Sequence, residues 1–387
     1  MYTSTLPIGT PISREFIHGA VDIEQTQAGL LPHRLPAWAR AQCEDAQLAM
    51  AESQPSGVRL VFETAATALE LVVLATKRVY VGMPPRPDGI YELLIDGRPA
   101  QQATAEAGNV LKIDMATGSA VLHPGEAQPL SFDNLPAGRK TIEIWLPHDE
   151  TTELVALHAD APVSPVAASG KRRWVHHGSS ISQGSNTTHP AGTWPAVAAA
   201  RAGVDLLNLG FGGSALLDPF VARTIRDLPA ELISIKIGIN LVNKDLMRLR
   251  AFGPAVHGFL DTIREGHPTT PLFVVSPICC PIHEELPGPT MFDTAALGEG
   301  RLLFRAAGSA DEIRQGKLTL AVIREQLRTI VAQRSEKDRK LHYLDGNDLY
   351  GPADNLRLPL PDQLHPDAAT HRLIGERFAE RIMSGAS

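Results

Sequence analysis

Four short loops in this chain carry residue types whose spacing suits covalent chemistry on a carbonyl group. The first is Gly178-Ser179-Ser180-Ile181-Ser182-Gln183-Gly184. Glycines flank a serine there, just after an apolar run, and such a turn can present a hydroxyl and aim backbone N–H groups at an anion. The simpler reading is a Ser/Gly loop with N-capping serines. The second loop, Asn208-Leu209-Gly210-Phe211-Gly212-Gly213-Ser214-Ala215, lets the backbone approach a ligand closely. It also spells G-x-G-x-x-A, a dinucleotide fingerprint. That reading is weak, because the motif follows the second strand of its unit. The next run, Leu232 to Ile237, also lacks a terminal acid to hold a ribose. The third loop, Gly238-Ile239-Asn240-Leu241, offers an amide that can donate to an oxyanion, or a plain turn asparagine. The fourth, Asp362-Gln363-Leu364-His365-Pro366, sets a carboxylate three residues from an imidazole. A carboxylate so placed can fix the imidazole tautomer and stabilise the imidazolium; the alternative is a turn aspartate and a histidine preceding a helix.

Taken jointly, the loops supply a nucleophile (Ser180), a base (His365) and an orienting acid (Asp362). They also supply oxyanion donors in the backbone of Ser180 and Gly213 and in the Asn240 side chain. That set is complete for acyl transfer through an acyl-enzyme.

The elements that must position these loops differ between the two halves of the chain. From Arg59 to Leu157, short strand-like runs alternate with turn signals: Arg59 to Phe62, Leu69 to Leu74, Tyr91 to Ile95 and Lys140 to Leu146. Asp96-Gly97 is a turn dipeptide, and Ile142, Ile144 and Leu146 share one face with period two. An antiparallel β-sandwich over residues 1–160 is expected. Residues 161–172, rich in Pro, Ala and Ser, read as a linker. From residue 173 to 387 the pattern becomes strand, loop, helix. Arg173 to His177, Val204 to Leu209, Leu232 to Ile237, Leu272 to Ser276 and Leu341 to Leu344 suit buried parallel strands. Between them lie two helical stripes: Val256, Phe259, Leu260 and Ile263, with Gly266 as a stop, and Leu320, Ile323, Leu327, Ile330 and Val331. The expected fold class is α/β, a flavodoxin-like parallel sheet between helices, with ligands beyond the carboxyl ends of the strands.

Composition narrows the function classes. A chain of 387 residues with 43% hydrophobic and 20% charged residues describes a globular protein of about two domains. No apolar stretch nears the roughly 20 residues of a membrane span, and no secretory leader is apparent in Met1 to Ala20. Three cysteines, Cys43, Cys279 and Cys280, argue against a disulfide framework and for a reducing, cytoplasmic setting. A net charge of -7 disfavours a nucleic-acid partner.

On Ser180, Gly213, Asn240 and the Asp362–His365 pair, the sequence over about residues 171–384 resembles the GDSL, or SGNH, hydrolases. That family is named for Ser, Gly, Asn and His in four blocks. The resemblance implies a Ser180–His365–Asp362 triad and an oxyanion hole from Ser180, Gly213 and Asn240. Two positions depart from the family pattern: its aspartate before the nucleophile is Ser179 here, and its aspartate after the third-block asparagine is Leu241. Neither is a triad member, but the loops those aspartates support are put in question. The two-part layout resembles members with an N-terminal β-sandwich like a carbohydrate-binding module. Some of these are esterases, and one type moves a salicylyl group onto a tetracycline-type polyketide. The implied partners are a small-molecule acyl donor, such as an acyl-CoA thioester, and a hydroxyl acceptor, with no resident cofactor and no metal. The same residues would serve a carboxylesterase or carbohydrate O-deacetylase. An inert glycan-binding protein and a nicotinamide-dependent oxidoreductase are the competing classes.

Several further features have plain structural readings. His176-His177 are expected to hydrogen-bond locally, and His283-Glu284-Glu285 to sit in a solvated loop. Cys279-Cys280 read as small core-edge residues. Lys236, inside an apolar strand, is expected to have an ion-pair partner. Residues 281–316, long and irregular in their early part, are a candidate wall or lid of the acyl pocket.

Overall fold

A computed structural model describes residues 4–166 and 170–383. The chain divides into two compact units.

The second unit holds the chemistry-bearing loops. Five parallel strands form its sheet: Arg173–Gly178, Asp205–Gly210, Leu232–Lys236, Leu272–Val275 and Leu341–Leu344. Their order across the sheet is second, first, third, fourth, fifth, the flavodoxin-like winding expected from the strand–helix alternation. The strands bury residues on both faces, which is why they read as apolar runs rather than alternating ones. Register sets His176 opposite Asn208 on one side and Ser234 on the other. The helix Leu249–Gly266 buries Phe252, Val256, Phe259, Leu260 and Ile263. The helix Leu320–Ser335 buries Leu320, Ile323, Leu327, Ile330 and Val331 along one stripe. The last helix, Ala368–Phe378, starts on an Asp367 side chain that accepts from Thr370 N–H.

The first unit is built on an eight-stranded and a six-stranded sheet. Its core draws Leu69, Leu71, Leu130, Phe132 and Leu157 from one sheet and Leu60, Phe62, Tyr91, Leu93, Ile142 and Ile144 from the other. Asp96 and Gly97, at φ 50 and 76, make the two-residue turn between Ile90–Ile95 and Arg98–Thr104. One pairing departs from the expected antiparallel pattern: Leu69–Tyr80 runs parallel to Asn109–Asp114.

The unit boundaries differ from the linear partition at 160 and 172. Ala37–Ala51 belongs to the second unit, and Thr188–Ala191 to the first. Within the expected linker, Val163–Pro165 is a strand paired with Arg59–Thr64; residues 167–169 lie outside the described residues. Composition misjudged this stretch because Pro165 sits on an edge strand, where a missing N–H costs no ladder bond.

Candidate active site

The Ser180 loop is shaped by what packs behind it. Gly178 ends the first strand, and a Cβ there would stand 2.2 Å from Ser182 Oγ, so only glycine lets the following turn close. Ser179 caps the short helix Ser180–Gln183, its side chain accepting from Ile181 N–H. Serine thus performs the N-cap role open to the aspartate it replaces. Beneath the turn lies a buried polar chain. Trp174 Nε1 donates to Ser234 Oγ at 2.9 Å, and Ser234 Oγ is 2.7 Å from His176 Nδ1. His176 Nε2 is in turn 2.8 Å from Ser182 Oγ. Burial drives the His176 imidazole well below its ordinary range, so it stays neutral and serves as a strut. His177 faces the other way, held by Leu209 C=O at 2.8 Å and stacked on Phe259. The local hydrogen-bonding reading of both histidines holds.

Ser180 Oγ lies 3.0 Å from His365 Nε2, and His365 Nδ1 lies 2.8 Å from Asp362 Oδ2. The other carboxylate oxygen accepts the N–H groups of Leu364 (2.9 Å) and His365 (2.6 Å), an arrangement that the three-residue spacing makes local. Burial pushes the Asp362 carboxyl up. The bond and charge of His365, with these two N–H groups, outweigh it and hold the group below its usual value. Asp362 is therefore an ionised acceptor, which requires His365 Nδ1 to carry hydrogen; in the neutral imidazole Nε2 is then the atom that accepts from Ser180.

The glycine loop and Asn240 close the other side. Ser214 N–H bonds Phe211 C=O at 3.0 Å, making a four-residue turn with Gly212 and Gly213 at its centre. Gly212 N–H donates to Gln183 Oε1 at 2.7 Å, and a Cβ on Gly212 would stand 3.7 Å from Ser180 Cβ. The turn therefore lies against the serine. Gly213 has φ 71, a conformation that favours glycine. Asn240 sits in the helix Ile239–Asn243, which starts after Gly238, at φ 133 and packed on Pro277. Its Oδ1 accepts from Ala215 N–H at 3.1 Å, which identifies that atom as oxygen and turns the NH₂ the opposite way. Leu241, where the family carries aspartate, is a fully buried core residue.

The expected wall segment abuts this arrangement. Within residues 281–316, Phe304 N–H donates to Asp362 C=O at 3.0 Å, and the Phe304 ring meets His365 edge-on at 5.8 Å between centroids. Phe292 packs on Phe304 at 5.1 Å.

Two expectations are corrected. The loop is solvated only in part: His283 is buried against Thr290, Glu284 is half-buried in a two-pronged pair with Arg324 at 2.7 and 2.8 Å, and Glu285 is exposed as expected. Lys236 is buried, and among the described residues it has no carboxylate partner; burial, helped by Arg324, lowers its pKa to about 8. Cys280 is buried as expected, its thiol donating to Gln363 C=O at 3.4 Å inside the acid–base loop.

Three residues escape a reading of the loops alone. Asn186 Nδ2 donates to Asp362 Oδ2 at 3.0 Å. Gln183, inside the serine loop, holds Gly212. Gln47 Nε2 donates to Gly212 C=O at 2.8 Å from far earlier in the chain. Only Gln183 had a signal, its place in the glycine-flanked serine motif.

Residues 171–281 match the GDSL-like lipase/acylhydrolase family. Among solved structures, the chain resembles a salicylyl-acyltransferase from a tetracycline biosynthetic pathway. The identity is 29% and the TM-score 0.77, covering 95% of this chain and 94% of that one. It shares its fold with a family two carbohydrate esterase from Clostridium thermocellum (13% identity, TM-score 0.55, 85% of this chain and 92% of that one). It also shares it with an acetyl xylan esterase from Butyrivibrio proteoclasticus (11%, 0.53, 96% of each). Among curated proteins, none matches the chain in sequence.

Proposed function

We propose that this chain, a GDSL-type enzyme with an SGNH fold, moves an acyl group through Ser180 from a thioester or ester to a hydroxyl of a natural-product acceptor. The observation that carries the reading is the continuous relay Ser180 Oγ–His365–Asp362, at 3.0 and 2.8 Å. Ser180 Oγ bonds the carbonyl carbon while its proton passes to His365 Nε2. The carbonyl π electrons move to oxygen, where the N–H groups of Ser180 and Gly213 and the Asn240 amide receive them. Collapse expels the alkoxide or thiolate, which takes the proton from Nε2. The acceptor O–H then gives its proton to Nε2 as it attacks the acyl-enzyme, and the second collapse returns that proton to Ser180. No step calls for a resident cofactor; an acyl-CoA is suited to the role of donor substrate.

The similarity to the salicylyl-acyltransferase across nearly the whole chain supports transfer. The esterases that share the fold support the same chemistry with water as acceptor. The experiment is mass spectrometry of the protein mixed with acyl thioesters, followed by addition of a polyphenolic alcohol. An acyl adduct on Ser180 that leaves faster with alcohol than with water supports transfer. An adduct released by water alone points to hydrolysis, and a folded protein that neither acylates nor reacts with a fluorophosphonate removes the serine reading.

A further inference from the structure

We propose that Gln47 is a positioning residue of the oxyanion hole, acting through the peptide that joins Gly212 to Gly213; the inference rests on the serine reading above. A trans peptide is planar, so its C=O and the next N–H point in opposite directions as one rigid plate. Gln47 Nε2 donates to Gly212 C=O at 2.8 Å. The group on the other end of that plate is Gly213 N–H, the donor assigned to the oxyanion. A hydrogen bond at the carbonyl therefore aims Gly213 N–H and, by polarising the amide, strengthens it as a donor.

The rest of the loop explains why such an anchor is needed. Phe211 N–H is bound to Gly178 C=O at 2.8 Å, Gly212 N–H to Gln183 at 2.7 Å, and Ser214 N–H to Phe211 C=O at 3.0 Å. Each fixes a neighbouring peptide, and none fixes the plate between the two glycines. Two adjacent glycines at the centre of a turn give that plate a low barrier to rotation, because either residue tolerates both signs of φ. A flipped plate would point Gly213 N–H away from the substrate. The Gln47 side chain also lies against Gly213, where a Cβ would stand 3.4 Å from both its Cγ and Nε2.

Gln47 is itself held. Asp45 Oδ1 accepts from Leu48 N–H at 2.7 Å, and Asp45 C=O accepts from Ala49 N–H at 2.9 Å, which together start the helix Ala46–Ser53. Leu48 and Ala39 are buried. Arg223, on the helix Pro219–Asp227, lies over the Trp38 ring at 5.5 Å and donates to Gln42. Ala37–Ala51, which precedes most of the sandwich in sequence, thus belongs to the unit with the triad and delivers one amide to its oxyanion loop.

The test compares full-length wild type with Gln47→Met, which keeps side-chain length without a donor, and Gln47→Lys, which keeps a donor. The probes are 4-nitrophenyl acetate and a phenylboronic acid, whose tetrahedral serine adduct uses the same hole. The Met variant is expected to lose roughly tenfold in kcat with KM changed by less than about twofold, and boronate affinity should fall in step with kcat. The Lys variant should recover most of the loss. A Met variant whose kcat stays within about twofold of wild type, or a loss confined to KM, overturns the proposal. So does a Lys variant as impaired as a folded Met variant. If the Met variant loses its thermal transition, the folded Lys variant decides alone: near wild-type kcat supports the proposal and a tenfold loss overturns it. A wild type that neither turns over the ester nor reacts with a fluorophosphonate overturns the serine reading and this inference together. An active wild type with an indifferent Met variant overturns the inference only.

Discussion

Asn186 Nδ2 donates to Asp362 Oδ2 across 3.0 Å. That oxygen also receives His365 Nδ1 at 2.8 Å, while Oδ1 takes two backbone N–H groups. The carboxylate is thus pinned at both oxygens and cannot rotate away from the imidazole. Asn186 has φ 67, so glycine is the substitution that removes the amide without straining the backbone. Asn186→Gly should lower kcat by about tenfold or more, since a hydrogen bond to a charged group is worth roughly 1.5–3 kcal/mol. Steady-state turnover of a small ester checks this; unchanged kcat would mean that the backbone N–H groups suffice.

Asn240 is oriented by the bond from Ala215 N–H to its Oδ1. Asn240→Asp keeps that acceptor but replaces the outward NH₂ by a charged oxygen, which in the proposed mechanism would face the developing oxyanion. Its kcat should fall by at least the 10²–10³ or so typical of losing one such donor, with little change in KM. Asn240→Ala should fall by about that amount. Equal activity of the Asp variant and wild type would remove Asn240 from the hole.

Placement was legible where it is local. Asp362 and His365 sit hydrogen-bonded in one five-residue loop, and Ser180, Gly213 and Asn240 each follow an apolar strand, as pattern and spacing predict. Gln47 and Asn186 act on residues 165 and 176 positions away, and no local pattern encodes such a bond. Glu284 read as solvated because its anchor, Arg324, lies within a helical stripe that otherwise looks apolar, and His283 because its partner Thr290 lies in a stretch without a regular pattern. The parallel pairing of Leu69–Tyr80 with Asn109–Asp114 was invisible because period-two alternation is the same for either direction. The excursion of Ala37–Ala51 into the second unit is a tertiary fact that composition does not carry.

That excursion changes what a truncation means. Deleting residues 1–160 removes Gln47 together with the buried residues Ala39 and Leu48 of the same unit. The remaining chain should lose activity even on a small soluble ester, whether or not the sandwich contacts any acceptor. Turnover of 4-nitrophenyl acetate by the truncated protein at a wild-type rate would show that Ala37–Ala51 is dispensable.

Lys236 is a buried cation whose pKa falls from 10.5 to about 8 because burial disfavours the charged form. Between those values the unfolded chain holds the proton that the folded one releases, so stability gains as pH rises from about 8 to 10.5 and is lowest for this group at neutral pH. Lys236→Met removes the penalty and should stabilise the protein at pH 7 by roughly 1–3 kcal/mol. Thermal denaturation at pH 7 and pH 10 checks it, with the gain shrinking at the higher pH. A destabilised Met variant at pH 7 would show that the ammonium makes a compensating interaction.

His177 has the same logic at acid pH. Burial lowers its pKa from 6.5 to about 4, and among the described residues its Nε2 has no partner. An unfolded chain takes up a proton near pH 6.5, whereas the folded chain resists until about pH 4. The contribution of neutral His177 is therefore whole above pH 6.5 and is lost as pH falls toward 4, by roughly 3 kcal/mol at about 1.4 kcal/mol per tenfold change. His176, also lowered by burial, adds in the same direction. His177→Phe keeps the ring contacts with Phe211 and Phe259 but has nothing to protonate. It gives up the bond to Leu209 C=O and should be somewhat less stable than wild type at pH 8, with a shallower fall between pH 6.5 and 4.5. Urea midpoints across that range separate the two effects. Parallel wild-type and variant curves would mean that acid unfolding is governed by other groups.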